Sequence, residues 1–229
     1  SDVSQSHVVD WSYENFPSTL CSCLATHAVL EFKYGQKRKP VGKKHWGVFP
    51  HKVVDRAHPL VKGVNTRFDI PHSRFNEVSE SQFKEANAVV LAKSPIGVHL
   101  AVSPDLFRIV FFQGHPEYDS VSLLKEYKRE VALYLEKSTA EYPPFPSNYL
   151  SSQSRAILTE YRTRLISKMA TIKDFPEELI TKALDNTWHD SASAIINNWI
   201  GCVYQVTNEN IRKPFMEDIN PNNPLSLEK

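Results

Sequence analysis

The pattern of apolar and polar positions divides the chain into short strands and amphipathic helices. Residues 18–23, Ser-Thr-Leu-Cys-Ser-Cys, are a β-capable run without a charge. Over 24–34, Leu24, Ala28 and Phe32 recur at helical spacing before Gly35, a residue suited to a helix C-terminus. The pattern predicts strand, tight turn and helix. Runs at 88–93, 97–102 and 107–113 predict three further strands, separated by the turn signals Ser94-Pro95 and Ser103-Pro104-Asp105. Val121, Leu124, Val131 and Leu135 predict a helix over 120–137 with Asp119 as N-cap, closed by Pro143, Pro144 and Pro146. Helices are also predicted over 151–170 and 177–206, the second broken near His189. Between 36 and 75 the chain is rich in Gly, Pro, His, Lys and Arg with only short apolar pieces, which predicts irregular structure with one or two short strands. From Ile211 onward the tail is predicted to be extended. Strands alternate with helices instead of forming blocks, so the expected fold is α/β, a layered, mostly parallel sheet flanked by helices.

Composition narrows the setting. At 229 residues, 41% hydrophobic and 23% charged, the chain suits one large globular domain, expected over 1–229. It carries no apolar run long enough to span a bilayer and no leader pattern, so a soluble, cytoplasmic protein without a membrane partner is expected. The 27 basic and 26 acidic residues nearly cancel, which leaves no field to attract nucleic acid. Lys37-Arg38-Lys39 with Lys43-Lys44 is the one basic concentration, a loop suited to phosphate. Cys21, Cys23 and Cys202 form no even disulfide framework and no CxxC pair, which points to reduced thiols.

Candidate chemistry gathers where the apolar run Phe111-Phe112 ends in Gln113-Gly114-His115-Pro116-Glu117-Tyr118-Asp119. In extended backbone His115 and Glu117 point the same way, so the carboxylate can orient and charge-stabilise the imidazole. Cys23, in the predicted strand-to-helix turn, faces a helix N-terminus that favours a thiolate. A cysteine at a strand end is also a common buried hydrophobe, and a His-x-Glu pair also occurs on surface loops. Cys21 alternates onto the same face as Cys23, so periodicity does not separate them; the turn position favours Cys23. Lys44, Ser73 and Arg129 read by themselves as solvated surface, although His72-Ser73-Arg74 suggests a ligand loop. The nine histidines show no HExxH or comparable spacing, so no metal is expected.

Several segments together resemble one family. They are Trp11-Ser12, Ser18-Thr19-Leu20 leading to Cys23, Tyr34-Gly35, Lys44-x-x-Gly47-Val48, Pro71-His72-Ser73-Arg74-Phe75 and Gly114-His115-Pro116-Glu117-Tyr118-Asp119. The match resumes at Pro146-x-Asn148-Tyr149, Trp188-His189 and Asn198-Trp199 to Val203-Tyr204-Gln205. The chain thereby resembles the homoserine O-acyltransferases of the succinyltransferase type, whose domain is similar to class I glutamine amidotransferases, a flavodoxin-like fold.

The resemblance implies a Cys23–His115–Glu117 triad and an acyl transfer through a cysteine thioester, from acyl-CoA to the homoserine hydroxyl, in methionine biosynthesis. It implies that Lys44, Ser73 and Arg129 bind the amino-acid substrate, that acyl-CoA is a co-substrate with no further cofactor, and that the protein is a homodimer. The donor, acetyl or succinyl, stays open. The same triad also suits a glutamine-amidotransferase-like hydrolase, and a degenerate triad domain suits a binding or assembly module. Leu24 and His27 stand where the family usually has Trp and Gln, so packing around the thiolate is expected to differ. Residues 150–186 are expected to form a helical insertion. The family has roughly another hundred residues before the point where this chain opens, so a preceding segment or partner chain is expected.

Overall fold

The computed structural model describes residues 2–210 and 212–228; Ser1 and Ile211, where the extended tail is predicted to begin, lie outside the described residues. The chain runs α1 (Asp2–Asn15), β1 (Thr19–Ser22), α2 (Leu24–Tyr34), β2 (Lys39–Val53), β3 (Arg67–Glu77), α3 (Glu80–Glu85), β4 (Val89–Ser94), β5 (Gly97–Val102), β6 (Ile109–Phe112), α4 (Ser122–Leu135), α5 (Ser152–Ile166), α6 (Glu177–Thr181) and α7 (His189–Val206). Residues 212–228 follow in turns without a regular element.

The strands form one sheet in the order β1-β6-β5-β4-β2-β3. The α/β layering agrees with the sequence pattern, but the expected predominance of parallel pairs does not hold. Among the described strands, β1 and β6 alone pair in parallel, and the other four pairings are antiparallel. The reason is connection length. Parallel neighbours need a crossover of a dozen or more residues, whereas residues 95–96 alone join β4 to β5 and residues 103–108 join β5 to β6.

The region 36–75 is the second departure. It holds the two longest strands, β2 with 15 residues and β3 with 11, paired from Lys39↔Glu77 to Lys52↔Arg67. Their inward positions include His51, His72 and Arg74, all buried, where a strand pattern would show aliphatic residues. α1 also goes beyond the sequence pattern, because its apolar residues make no continuous stripe. Val9 and Tyr13 nonetheless pack on the core.

Burial alternates along β6 and explains its uninterrupted apolar character. Val110 and Phe112 face a core completed by Leu123, Leu124 and Tyr127 of α4, Leu158 of α5 and Ile195 of α7. Ile109 and Phe111 face the opposite core, completed by Val29 and Leu30 of α2 and Phe83 of α3. Residues 150–186 carry α5, a single 3-10 turn and α6, and Leu158, Tyr161, Leu165, Phe175 and Ile180 bury them in the first core. α4 begins at Ser122 with Val121 as its N-cap, two residues later than Asp119, whose carbonyl accepts from Ser122 N–H.

Candidate active site

β1 ends in a sharp turn at Cys23, which has φ 48° and ψ −107° and caps the N-terminus of α2. A residue with a Cβ is strained at positive φ, and the turn lifts its side chain clear of the sheet. Strand-to-helix turns that expose a nucleophile have this form. Cys23 N–H donates to Phe112 O at 2.8 Å, and the Thr26 hydroxyl bridges Cys21 O and Phe112 O at 2.9 and 2.8 Å. These bonds fix the turn against the end of β6. Cys21, which periodicity could not separate from Cys23, is 5% exposed within the second core, and burial pushes its thiol up to about 11. Tertiary packing thus makes Cys21 a core residue and leaves Cys23 at the site.

The chain leaving β6 brings His115 to the same end of the sheet. His115 N–H donates to Pro71 O at 2.8 Å, and its Nδ1–H donates to Glu117 Oε1 at 2.8 Å, leaving Nε2 for Cys23. Burial would lower the imidazole pKa, but the hydrogen bonds and charges of Cys23 and Glu117 outweigh it and raise it to about 9. Burial pushes the Glu117 carboxyl up, yet His115 and the Ser22 hydroxyl hold it below the usual carboxylate range. Ser22 Oγ lies 3.1 and 3.2 Å from the two Glu117 oxygens. The three residues expected from the sequence pattern therefore meet at one place.

The approach of this loop to the sheet depends on Gly114. A Cβ there would lie 2.5 Å from Ile70 Cγ2 and 2.8 Å from His72 Nε2. His72 is itself held by a directed chain. Arg74 Nε–H donates to His72 Nδ1 at 3.2 Å, so His72 Nε2–H donates to His51 Nε2 at 3.3 Å, and His51 Nδ1–H donates to Phe49 O at 2.9 Å. His27 is buried and bonds Gln113 Oε1 at 2.9 Å, tying α2 to the residue before Gly114, while Leu24 is exposed. Among the described residues, no group of three or more His, Cys, Asp or Glu side chains is placed to hold a metal ion.

Lys44, Ser73 and Arg129 are brought together through two glutamates of α4 that sequence reading missed. In β2, residues 41–44 bulge out between the pairs Pro40↔Asn76 and His45↔Arg74, opposite Phe75 alone. The bulge folds Lys44 Nζ over the Trp46 ring, 4.3 Å from its centroid, and within 4.0 Å of Glu126 and 3.8 Å of Glu130. Burial lowers the Lys44 pKa, with both glutamates opposing. Ser73 Oγ donates to Glu126 Oε2 at 2.6 Å, and Arg129, the most exposed of the three, pairs with Glu130 at 3.9 Å. A cavity of about 260 Å³ opens beside them, lined by Lys43, Lys44, Trp46, Phe75, Glu130 and Tyr142. The one available signal for the glutamates was their spacing, one helical turn apart on α4.

Trp188 ties the residues before α7 to this end of the sheet, and Trp199 ties α7 to the start of β1 at the other end. Trp188 Nε1–H donates to Tyr118 O at 2.8 Å, and Trp199 Nε1–H donates to Ser18 Oγ at 2.9 Å. A second cavity, of about 520 Å³, lies between α7 and the triad loop, bordered by Ser22, Glu117, Tyr118, Trp188 and Ile196.

Fold and site together define an α/β protein with a cysteine, histidine and glutamate assembled at a strand-to-helix turn. The chain belongs to the homoserine O-succinyltransferase family, whose model matches residues 4–209. It is 60% identical over 226 residues to the homoserine O-succinyltransferase of Nitrosococcus oceani, covering 97% of this chain and 63% of that protein. To that of Allochromatium vinosum it is 57% identical over 224 residues, covering 96% and 63%. The chain thus spans 63% of the length of these curated relatives. Among solved structures it is similar to SMU.1228c, with TM-score 0.50 and 12% identity over 87% of this chain and 68% of that one, a likeness of fold. A glutamine amidotransferase of Methylobacillus flagellatus aligns with TM-score 0.49 and 14% identity over 86% of this chain and 66% of that one. No described helix is long and apolar enough to cross a membrane.

Proposed function

We propose that this chain carries the acyl-transfer centre of a homoserine O-acyltransferase, with Cys23 as nucleophile, His115 as base and Glu117 as the group that orients it. The observation that carries the reading is the placement of Cys23 at a strained strand-to-helix turn facing an imidazole whose other nitrogen is fixed by Glu117 at 2.8 Å. The names of the relatives favour succinyl-CoA as the donor.

The thiolate of Cys23 attacks the donor's thioester carbonyl, the bond from that carbon to the CoA sulfur breaks, and the departing thiolate takes the proton from the His115 imidazolium. The amides of the first turn of α2, which lack intrahelical acceptors, stand at the helix end where negative charge develops on the carbonyl oxygen. The homoserine hydroxyl then attacks the acyl-enzyme while His115 takes its proton. Cys23 leaves as thiolate beside the imidazolium, and O-acylhomoserine departs for methionine biosynthesis. Lys44 and Arg129 are suited to the substrate carboxylate and Glu126 to its ammonium group.

The test is to expose the protein to succinyl-CoA or acetyl-CoA, measure CoA release with and without homoserine, and locate the adduct by mass spectrometry. An acyl group on Cys23, lost on adding homoserine and absent in Cys23→Ala, supports the reading. Acylation at Cys21 overturns the choice of nucleophile. Glutamine hydrolysis without CoA release overturns the acyl transfer.

A further inference from the structure

Between the triad and the Lys44 cluster stands one side chain that touches both. The Tyr118 ring stacks on the His115 imidazole, with centroids 4.2 Å apart and an interplanar angle of 18°. Its hydroxyl donates to Glu126 Oε1 at 2.7 Å, while Glu126 Oε2 accepts from Ser73 Oγ at 2.6 Å and Trp46 Nε1–H at 3.0 Å. The backbone of Tyr118 is held as well. Its N–H donates to His115 O at 3.2 Å, and its carbonyl accepts from Trp188 Nε1–H at 2.8 Å.

We infer that Tyr118 is a positioning residue that joins the base to the amino-acid pocket, its ring holding the imidazole of His115 and its hydroxyl holding the carboxylate of Glu126. Burial first, and then the hydrogen bond to Glu126, raise the phenol pKa far above neutrality, so Tyr118 is a constant donor across the working pH range. A ring anchored at its backbone, face and hydroxyl has no freedom to turn at one contact without moving the others. A ligand ammonium group drawn to Glu126 competes for the oxygen that Tyr118 holds, and the resulting adjustment of the ring is transmitted to the imidazole stacked on it. Filling the pocket and orienting the base become one event. The inference rests on the reading of His115 as base and of the Lys44–Glu126 cluster as the amino-acid pocket.

Two variants separate the contacts: Tyr118→Phe keeps the ring and removes the hydroxyl, and Tyr118→Leu removes both. The primary readout is the pH midpoint of Cys23 alkylation by iodoacetamide, which reports the Cys23–His115 pair without any substrate. It is measured with and without saturating homoserine, alongside homoserine binding by calorimetry, thermal melting and steady-state kinetics. Tyr118→Leu is expected to displace the ligand-free midpoint. Tyr118→Phe is expected to keep that midpoint, to lose the shift that homoserine produces in the unsubstituted protein, and to lower kcat on the order of tenfold, as loss of a hydrogen bond to a charged group does.

If Tyr118→Leu melts lower but keeps the midpoint, the ring is merely structural and the inference falls. If homoserine shifts Tyr118→Phe as far as the unsubstituted protein, the hydroxyl joins nothing and the inference falls. If homoserine does not bind the unsubstituted protein, the pocket assignment under the proposed function falls and the joint to it falls too. A displaced midpoint in Tyr118→Leu would in that case still establish the ring's hold on His115.

Discussion

Ser22 holds Glu117 from the strand that ends at Cys23: its hydroxyl lies 3.1 and 3.2 Å from the two carboxylate oxygens. Glu117 is thus tied to β1 as well as to His115. Because this donor helps to lower the Glu117 pKa, Ser22→Ala is expected to let it rise toward the ordinary range. The carboxylate then protonates at higher pH, and the acid limb of the activity profile moves upward with it. An acid limb unchanged between Ser22→Ala and the unsubstituted protein would show that the contact has no bearing on the site.

The raised His115 pKa has a definite sign in stability. A histidine titrating near 9 in the fold and near 6.5 when unfolded stabilises fully below 6.5, and the contribution is lost as pH rises through 9. Glu117→Gln removes one of its partners. The variant is expected to be less stable at pH 6 by about 1 kcal/mol, discounted for the solvent exposure of Glu117, with the gap closing toward pH 10. Urea melts at the two pH values decide it; a gap that widens with pH contradicts the assignment.

His51 acts in the opposite direction. Burial lowers its pKa to about 4, so between 6.5 and 4 the unfolded chain binds a proton that the folded chain does not, and stability falls as pH falls. From pH 7 to pH 5 the loss through His51 is expected to be about 2 kcal/mol. His72 and His99, both fully buried with pKa values well below the usual, add to it. His115 opposes by less, since its unfolded form also becomes protonated as pH falls through 6.5 and its stabilising contribution is then already complete. His51→Gln is expected to flatten the slope of unfolding free energy against pH between 5 and 8, and an unaltered slope would refute the attribution.

Lys44→Ala is expected to raise the homoserine KM about tenfold with kcat changed less than about threefold, the signature of lost uniform binding. Its cation lies within 4.0 Å of both Glu126 and Glu130, so the variant also leaves two carboxylates facing each other with less compensation. A lower kcat at unchanged KM would move Lys44 from binding the substrate to supporting the base.

Local pattern made the strand-turn-helix around Cys23, the three strands of 88–113 and the long helices readable, because each signal is short-range: a helix shows the stripe it turns to the core, and a strand covered on both faces shows an uninterrupted apolar run. It misread 36–75, where the buried positions of a long hairpin are histidines and an arginine bonded to one another, a satisfaction visible only once β2 and β3 are side by side. Periodicity did not separate Cys21 from Cys23, and only the expected turn position favoured Cys23. Their separation is a matter of φ at one residue and of what covers the other. Glu126 carried only its one-turn spacing from Glu130, and Tyr118 only its place in the Gly114–Asp119 motif, since the partners of Glu126 lie 53 and 80 residues away and the Tyr118 stack depends on the path of a loop.

By itself the sequence determined which residues were available for chemistry and the α/β class, because residue identity and periodicity are properties of the chain. The tertiary structure alone decided that Cys23 faces His115, that Cys21 is core, and that Lys44, Ser73 and Arg129 converge through two glutamates. It also decided that the sheet is chiefly antiparallel. These are distances and burial between segments remote in sequence, fixed by connection length and by packing on the two faces of the sheet.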